Sequence, residues 1–329
     1  MRIGVVIPCY RVAKQILNVI GDIGPEVEKI YVVDDRCPEE SGLLVQKSCK
    51  DPRVKVFFHA ENYGVGGSVK TGWKAGYSDG MEILVKLDGD GQMDPRLIPA
   101  LVEPIETSRA DYTKGNRFFT PRGLSQMPLL RLIGNAGISL LAKLTSGYWQ
   151  VMDPTNGFIA IHSSLLPFLE IQKLHNRYFF ENDVLFRVGL LRGAVQDVPM
   201  LSRYLDEHSN LSVLTVLFTF PWLFLFRFYK RIIYRYFLRD FNAASILMLL
   251  GKPLALFGIT FGTIKWQQSI HTGIVATSGT VMLAALPLLF GVFMLLFAFL
   301  FDVSTVPTVA VFPTLHKQLK QGLKTEFPL

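Results

Sequence analysis

Two aspartates with one glycine between them follow a short apolar run in the first third of the chain. The segment reads Asp88-Gly-Asp90-Gly-Gln92 and comes directly after Ile83–Leu87. Two carboxylates and an amide oxygen in one turn are hard oxygen ligands that suit Mg²⁺ or Mn²⁺, and these ions usually keep substrate phosphates and water as further ligands. A solvated acidic turn is the alternative for an isolated pair of this kind. We predict a divalent metal site formed by Asp88, Asp90 and Gln92.

A second acidic pair and a glycine-rich segment could serve an anionic ligand. Asp34-Asp35 ends another apolar run, and Asn62–Gly67 carries three glycines. Glycines before a helix let backbone N–H groups approach a phosphate, although a tight strand-to-helix turn is an equal alternative. The segment is neither a Walker loop nor a dinucleotide fingerprint, because no Gly-Lys-Ser/Thr follows and it comes after the third strand rather than the first.

Alternating strands and helices must position these residues. Apolar runs separated by helical patterns predict an α/β fold with a mostly parallel sheet and helices on both faces. Ligands bind at the carboxyl ends of strands in such sheets. We therefore expect Pro8–Tyr10, Asp34-Asp35 and Asp88–Asp90 to meet at one edge. The predicted strands are Ile3–Ile7, Lys29–Val33, Val54–Phe58, Ile83–Leu87, Phe158–Ile161 and Ala194–Met200. The predicted helices are Val12–Ile20, Gly42–Cys49, Ser68–Tyr77, Pro95–Glu106, Leu129–Leu144 and Glu181–Leu191.

The composition separates this region from the rest of the chain. Of 329 residues, 50% are hydrophobic and only 19% are charged, against about 25% charged in an ordinary soluble domain. The apolar excess lies between Leu211 and Phe301. This distribution excludes a disordered chain, a coiled coil and an ordinary soluble enzyme, and it predicts a globular domain joined to a membrane region.

Two segments are long enough to cross a bilayer. Ala243–Ile264 and Thr280–Phe301 each contain 22 residues, against about 20 needed. Lys252-Pro253 lies in the middle of the first, where a lysine costs about 2.5–3.5 kcal/mol on insertion scales. We keep the full span and expect Lys252 to face protein, water or a lipid phosphate.

The segment before these spans, residues 211–239, is apolar up to Phe226 and then basic and aromatic. Such a pattern predicts one or two helices in the membrane interface, with a buried pair of core helices as the alternative. The net charge is +7, and its densest cluster lies in this segment, which favours a membrane surface over nucleic acid. That cluster consists of Arg227, Lys230, Arg231, Arg235 and Arg239.

The side of the membrane follows from the same charges. Lysines after the second span, at Lys317, Lys320 and Lys324, match the basic cluster before the first, so both flanks should be cytosolic. The chain opens with an apolar strand and no signal-peptide pattern, so we expect the N-terminal domain to stay in the cytosol. Three cysteines without metal-ligand spacing predict no disulfide framework.

Together these residues resemble the family 2 glycosyltransferases of the GT-A fold, and in particular the polyprenyl-phosphate branch of that family. The resemblance covers residues 3–210 in consistent order. It departs from the family at Cys9-Tyr10-Arg11, where an Asn-Glu pair usually follows the tyrosine, and at Asp35-Arg36-Cys37. The matching segments are Val5–Tyr10, Val32–Asp35, Asn62–Gly67, Asp88–Gln92, Gly115–Phe118, Asp153–Phe158 and Tyr178–Asp183.

The resemblance implies an inverting, metal-dependent transfer of a sugar from a nucleotide-sugar of the UDP-glucose or GDP-mannose type to polyprenyl phosphate. Mg²⁺ or Mn²⁺ would be the cofactor, and an anionic acceptor phosphate would need no strong general base. The implied donor-binding residues are Pro8, Tyr10, Asp34, Asp35, Asn62, Gly64, Gly67, Lys86 and Asp88.

On the acceptor side, Arg117, Arg131 and Arg203 match basic positions that hold a phosphate in the family, although a lone arginine is often only a surface ion pair. Asp153, Glu181 and Asp183 lie where the family places acids near the acceptor; a capping role is the alternative for Asp153. The implied catalytic residues are Asp90, Arg117, Arg131, Asp153 and Asp183.

We therefore expect a GT-A domain over residues 1–210, interfacial helices over 211–239, two membrane helices within 243–301 and a cytosolic tail over 302–329. The protein would be integral to a bacterial or archaeal membrane. The alternatives are another membrane GT-A transferase, for a glycolipid or polysaccharide, and a non-catalytic membrane adaptor. No Q-x-x-R-W motif of processive synthases occurs. We expect no nucleic-acid partner, and self-association stays open.

Overall fold

The computed structural model describes residues 1–119, 129–200 and 213–320, with the backbone alone described at 129–132, 213–218 and 317–320. The predicted α/β class is confirmed. The strands are β1 Ile3–Cys9, β2 Val27–Asp34, β3 Val54–Phe58, β4 Ile83–Lys86, β5 Tyr112–Asn116, β6 Ile159–His162 and β7 Val195–Pro199. The helices are α1 Ile16–Gly21, α2 Ser41–Ser48, α3 Val65–Ser78, α4 Ile98–Glu106, α5 Leu129–Ser146, α6 Phe180–Leu191, α7 Val213–Ile233, α8 Ala243–Thr272, α9 Ser278–Ser304 and α10 Phe312–Lys320.

The seven strands form one mixed sheet in the order β3-β2-β1-β4-β6-β5-β7. β1 pairs in parallel with both β2 and β4, and β3 in parallel with β2. β6 runs antiparallel to β4 and β5. Because β1, β2 and β4 run in one direction, their carboxyl ends share one edge, as the sequence predicted.

Strand β5 is absent from the sequence prediction. Its residues Tyr112–Asn116 are all buried, but they include a lysine, a glycine and an asparagine. A buried strand is normally read from a run of apolar and β-branched residues, and this segment lacks one. Hydrogen bonds to β6 and β7 hold it in the sheet instead.

One predicted helix begins later in the structure than in the sequence prediction. Helix α1 begins at Ile16 instead of Val12, because the chain first turns through Arg11, whose φ of 57° is left-handed. Left-handed backbone is uncommon for a residue other than glycine. The turn carries the chain from the end of β1 across the edge of the sheet.

The chain divides into two compact units. The first comprises residues up to Phe228 together with those from Pro307 onward, and the second is Tyr229–Val306. In the first unit the returning segment is fixed to the sheet by Asp111, whose carboxylate accepts the backbone N–H groups of Val311 (3.0 Å) and Phe312 (2.7 Å). Asp111 is fully buried, so this attachment belongs to the core.

The second unit contains α8 and α9, the two helices in the described residues that are long and apolar enough to cross a membrane. Helix α8 has 30 residues and continues through Lys252-Pro253, so it is longer than the predicted span and the connection to α9 is shorter. Small residues bring the two helices together, since a Cβ at Gly258 would lie 2.6 Å from the backbone of Leu288. Such small-residue contacts are typical of membrane helix pairs.

The expected basic surface before the first span needs a correction. Helix α7 is one helix that continues as a π-helix over Tyr234–Arg239. Arg231 and Arg235 are buried in the second unit, where their guanidinium groups lie 2.8 and 2.9 Å from Oδ1 of Asp302. A buried aspartate needs such partners because an unpaired buried charge is costly. Arg231 and Arg235 therefore form internal ion pairs within this unit and are not part of a basic surface.

Candidate active site

A cleft of about 580 Å³ opens at the carboxyl edge of the sheet, as predicted. The ends of β1, β2 and β4 form its floor, and α3, α5, α6 and α7 contribute side chains to its walls. The predicted residues that line it are Pro8, Tyr10, Asp35, Asn62, Gly64, Lys86, Asp88, Asp90, Arg117 and Glu181.

Asp35 organises the glycine-rich segment beside the cleft. Its carboxylate accepts the backbone N–H groups of Tyr63 (2.9 Å) and Gly64 (2.6 Å) and lies 2.7 Å from Nδ1 of His59. The side chain of Asn62 donates to the Asp35 carbonyl. The segment is thus a strand-to-helix turn built around Asp35, and the N–H groups of Tyr63 and Gly64 are already bonded.

Glycine is required at the end of this turn for a packing reason. Gly64 has a φ of 84°, and a Cβ there would lie 2.8 Å from the carbonyl oxygen of Asn176. The loop before α6 can therefore approach the turn. The N–H of Gly67 donates to that same Asn176 oxygen at 3.1 Å, so Gly67 joins the two loops and does not line the cleft.

Asp34 faces away from the cleft, unlike its neighbour. It is buried, and its carboxylate accepts the backbone N–H groups of Cys37 and Gly42, both at 2.7 Å. These bonds fix the turn into α2. Asp34 is the last residue of β2, and successive side chains along a strand point to opposite faces, so only one member of the pair can face a ligand.

The Asp88-Gly-Asp90 turn rests on a buried lysine. The ammonium of Lys86 lies 2.7 Å from Oδ1 of Asp88, 3.1 Å from Oε1 of Glu181 and 3.2 Å from the carbonyl oxygen of Gly157. Burial alone would lower the pKa of Lys86, but the two carboxylates outweigh burial and raise it. The three acceptors match the three N–H donors of an ammonium, so Lys86 stays charged and fixes Asp88.

A divalent cation fits this turn on the donor chemistry of its side chains. Asp88 and Asp90 both line the cleft, whereas Gln92 does not and its backbone N–H donates to Asp90 Oδ1 at 3.0 Å. The described residues contain no group of three or more His, Cys, Asp or Glu side chains arranged to hold a metal. One or two carboxylates completed by phosphate and water is the usual magnesium site of phosphate-handling enzymes.

Arg117 and Asp153 form a bidentate ion pair at the end of β5. Nε and Nη2 of Arg117 lie 2.7 and 2.9 Å from the two carboxylate oxygens of Asp153. Asp153 is fully buried and does not line the cleft, whereas Arg117 does. The aspartate therefore sets the position of the arginine.

The two acids at the start of α6 behave differently. Glu181 lines the cleft beside Lys86, but Asp183 is buried and lies outside the lining. The Asp183 carboxylate accepts the backbone N–H of His175 at 2.8 Å and Nε–H of Arg227 at 2.7 Å. Arg227 in turn packs over the ring of Phe179. Asp183 thus links α6 to α7 within the first unit, and Arg227 is an internal partner rather than a free surface charge.

Two predicted arginines cannot be placed in the site. Arg203 lies outside the described residues, and of Arg131 the structure describes only the backbone within α5. Their assignment to the acceptor phosphate stays a prediction.

The structure adds lining residues that the sequence prediction did not include. Arg11 and Arg177 provide two further guanidinium groups, and Ile138 from α5 and Phe220 from α7 form an apolar part of the wall. Phe220 packs edge-on against Phe179 with ring centroids 5.2 Å apart. Arg11 follows a strand end and could have been proposed on that ground. The others are far apart in sequence and meet only in the fold.

The mixed sheet and the acidic turn at its carboxyl edge agree with the GT-A type of glycosyltransferase that the sequence resembles. Residues 4–167 match Glycosyl transferase family 2. The chain therefore carries a family 2 glycosyltransferase domain and is a glycosyltransferase, as the resemblance predicted.

Named relatives agree with the polyprenyl-phosphate branch. A UDP-N-acetylglucosamine–dolichyl-phosphate N-acetylglucosaminyltransferase of Methanococcus voltae is 28% identical over 61% of this chain and 85% of its own length. An undecaprenyl-phosphate mannosyltransferase of Micrococcus luteus is 28% identical over 61% of this chain and 83% of its own. Glucosyl-3-phosphoglycerate synthase of Mycobacterium tuberculosis, solved with Mn²⁺, UDP and glucosyl-3-phosphoglycerate, has the same fold, with a TM-score of 0.50, 21% identity and coverage of 70% and 79%.

Proposed function

We propose that this protein transfers a sugar from a nucleotide-sugar, of the UDP-glucose or GDP-mannose type, to polyprenyl phosphate with inversion at the anomeric carbon. One observation carries the proposal: a single cleft joins an acidic turn at the strand ends to an apolar wall. Asp88 and Asp90 would hold a divalent cation that in turn binds the phosphates of the donor, and Ile138 and Phe220 suit the hydrocarbon of a lipid acceptor. The names of both sequence relatives support a polyprenyl-type phosphate as acceptor, and the first also names a UDP-sugar donor.

The proposed reaction needs no covalent bond between the protein and the sugar. An oxygen of the acceptor phosphate forms a bond to the anomeric carbon while the bond to the donor diphosphate breaks, and the nucleoside diphosphate leaves. The acceptor is already anionic at neutral pH, so no strong general base is required. Arg117 lines the cleft with its guanidinium positioned by Asp153, and we assign its positive charge to the acceptor phosphate.

We assign Asp88 and Asp90 as the ligands of a divalent cation. The Mn²⁺ and UDP in the solved structure of the same fold support this assignment. Such a cation would neutralise the charge that develops on the departing diphosphate. Lys86 keeps Oδ1 of Asp88 bonded and leaves its other oxygen for the ligand.

The two apolar helices support a membrane location for the enzyme. The chain leaves the first unit after Phe228 and re-enters it at Pro307, and two crossings return a chain to the side it left. We place that side in the cytosol because basic residues flank both helices. In the Val275→Cys variant the new thiol, between α8 and α9, should react with an impermeant maleimide added outside intact cells, and protection from the reagent would contradict this orientation.

The test uses membranes that contain the protein, a panel of labelled nucleotide-sugars and polyprenyl phosphate. We expect one donor to give a labelled glycolipid, and we expect EDTA or Asp90→Ala to abolish it. Asp94→Asn is the matched control, because Asp94 caps a short helix four residues on and should keep activity. No product with any donor, or full activity of the Asp90→Ala variant, would overturn the proposal.

A further inference from the structure

We propose that Arg11 and Arg177 form a cationic pair that binds the diphosphate of the nucleotide-sugar donor, on the wall of the cleft beside the Asp35 turn. This inference rests on the proposed function, since it assigns part of the donor site. Both side chains line the cleft. Neither belongs to the residues predicted from sequence to hold a phosphate.

Arg11 turns the chain at the end of β1 through a left-handed backbone conformation. Its φ of 57° lies in the left-handed region, which is unfavourable for a long side chain. The guanidinium is above the ring of Tyr10, 5.4 Å from the centroid, and the backbone N–H donates to Sγ of Cys37. The strained turn therefore presents a charged group at the end of β1, where ligands of such sheets bind.

Arg177 stands beside the glycine turn. A Cβ on Gly64 would lie 2.9 Å from Cγ of Arg177, so the arginine packs directly on the turn that Asp35 organises. Arg177 and its neighbour Tyr178 line the same cleft as Arg11 and its neighbour Tyr10.

The other described cationic side chains that line the cleft are each paired with carboxylates. Lys86 is shared between Asp88 and Glu181, and Arg117 is paired with Asp153. Within residues 1–119, 129–200 and 213–320, no carboxylate lies within ion-pair distance of the Arg11 or Arg177 guanidinium. These two charges remain to balance an anionic ligand.

The glycine turn itself offers few donors for that ligand. The N–H groups of Tyr63 and Gly64 are bonded to Asp35, and that of Gly67 to Asn176. A diphosphate placed near Asp35 therefore needs donors from elsewhere. Guanidinium groups bind phosphate oxygens through two parallel hydrogen bonds, and both arginines have donors to spare.

The test is calorimetric titration of the detergent-solubilised full chain with UDP and with GDP, each in EDTA and in Mn²⁺. One of the two nucleotides should bind to the unaltered chain. Arg11→Gly and Arg177→Gln should each lower the affinity for that nucleotide by about tenfold or more, in EDTA as well as in Mn²⁺. Arg11→Lys should recover part of the loss. Arg11→Gly should also keep or raise the thermal midpoint, because glycine accepts the left-handed backbone.

Arg36→Ala is the matched control, since Arg36 is exposed, has a φ of 54° and is not part of the cleft lining. Unchanged affinity in both arginine variants would overturn the inference while leaving the proposed function intact. Weaker binding of a soluble prenyl phosphate, with nucleotide binding unchanged, would instead assign the pair to the acceptor and contradict it. If the unaltered chain binds neither UDP nor GDP, the proposed function itself fails.

Discussion

The ammonium of Lys86 lies 2.7 Å from Oδ1 of Asp88, in a position where Lys86 has almost no contact with solvent. The carboxylate of Asp88, the first in the acidic turn, is therefore held in place by the buried ammonium of Lys86. Glu181, on α6, shares the same ammonium. A single lysine thus links β4, the acidic turn and α6.

Lys86→Met should destabilise the fold by about 3–5 kcal/mol, because removal of one partner leaves buried carboxylates uncompensated. Chemical denaturation in detergent measures this. Lys55→Met is the control, since the Lys55–Asp79 ion pair is exposed and its loss should change stability little. Adding Glu181→Gln to Lys86→Met should recover part of the stability. Equal stabilities of the Lys86→Met and Lys55→Met variants would contradict the account.

The adjacent aspartates at the end of β2 should differ in kinetics. Asp34→Asn loses acceptor strength toward two backbone N–H groups and should cost about 1–3 kcal/mol of stability, with the donor KM unchanged within twofold. Asp35→Asn should raise the donor KM, because Asp35 lines the cleft. Steady-state kinetics with varied nucleotide-sugar decides the point. A rise in donor KM of the same size in both variants would show that Asp34 also acts on the donor.

The Arg117–Asp153 pair should act on the acceptor. Arg117→Lys keeps the charge but removes the two-pronged geometry, so we expect kcat/KM for polyprenyl phosphate to fall about tenfold or more while the donor KM stays constant. Asp153→Asn should also lower kcat/KM for polyprenyl phosphate, because Arg117 would no longer be held in its orientation. A change confined to the donor KM would be incompatible with this role.

Lys114, in β5, should make stability depend on alkaline pH. Burial lowers the pKa of Lys114 to about 8, although Glu181 and Asp153 oppose the shift. An unfolded lysine titrates near pH 10.4, so between about pH 8 and 10.4 the folded state binds fewer protons than the unfolded state. Stability therefore rises with pH in that window, by up to about 1.4 kcal/mol per unit.

The measurement is the unfolding free energy of the unaltered chain and of Lys114→Met at pH 7, 8, 9 and 10. Above pH 8, the unfolding free energy of the unaltered chain should rise relative to that of the Lys114→Met variant. A constant difference across the series would mean that Lys114 stays protonated throughout.

Local sequence patterns predicted the parts of the fold that local patterns control. Apolar runs marked β1 to β4, and the residues after them marked the edge of the sheet where the cleft opens. Period-two alternation also explains why one of Asp34 and Asp35 had to turn away, although the pattern alone does not say which. Strand β5 was not predicted because tertiary hydrogen bonds, rather than apolar composition, hold Lys114 and Asn116 inside the sheet.

The sequence was least informative about the partners of charged residues, because contacts between distant parts of the chain determine them. The pairing of Arg227 with Asp183, and of Arg231 with Asp302, joins residues that are 44 and 71 positions apart. A cluster of charges in the sequence predicts surface arginines, because the sequence pattern does not show which distant acidic residues pair with them. The approach of Arg177 to the glycine turn is likewise a property of the folded chain.

The most direct test of the central claim compares two acceptors of equal chain length, polyprenyl phosphate and the corresponding polyprenol. The purified protein is given each lipid with the active labelled donor and Mn²⁺, and the lipid product is isolated. We predict label only on the phosphate lipid, released by mild acid as the free sugar. Equal labelling of the polyprenol, or label on neither lipid, would contradict transfer to a lipid phosphate.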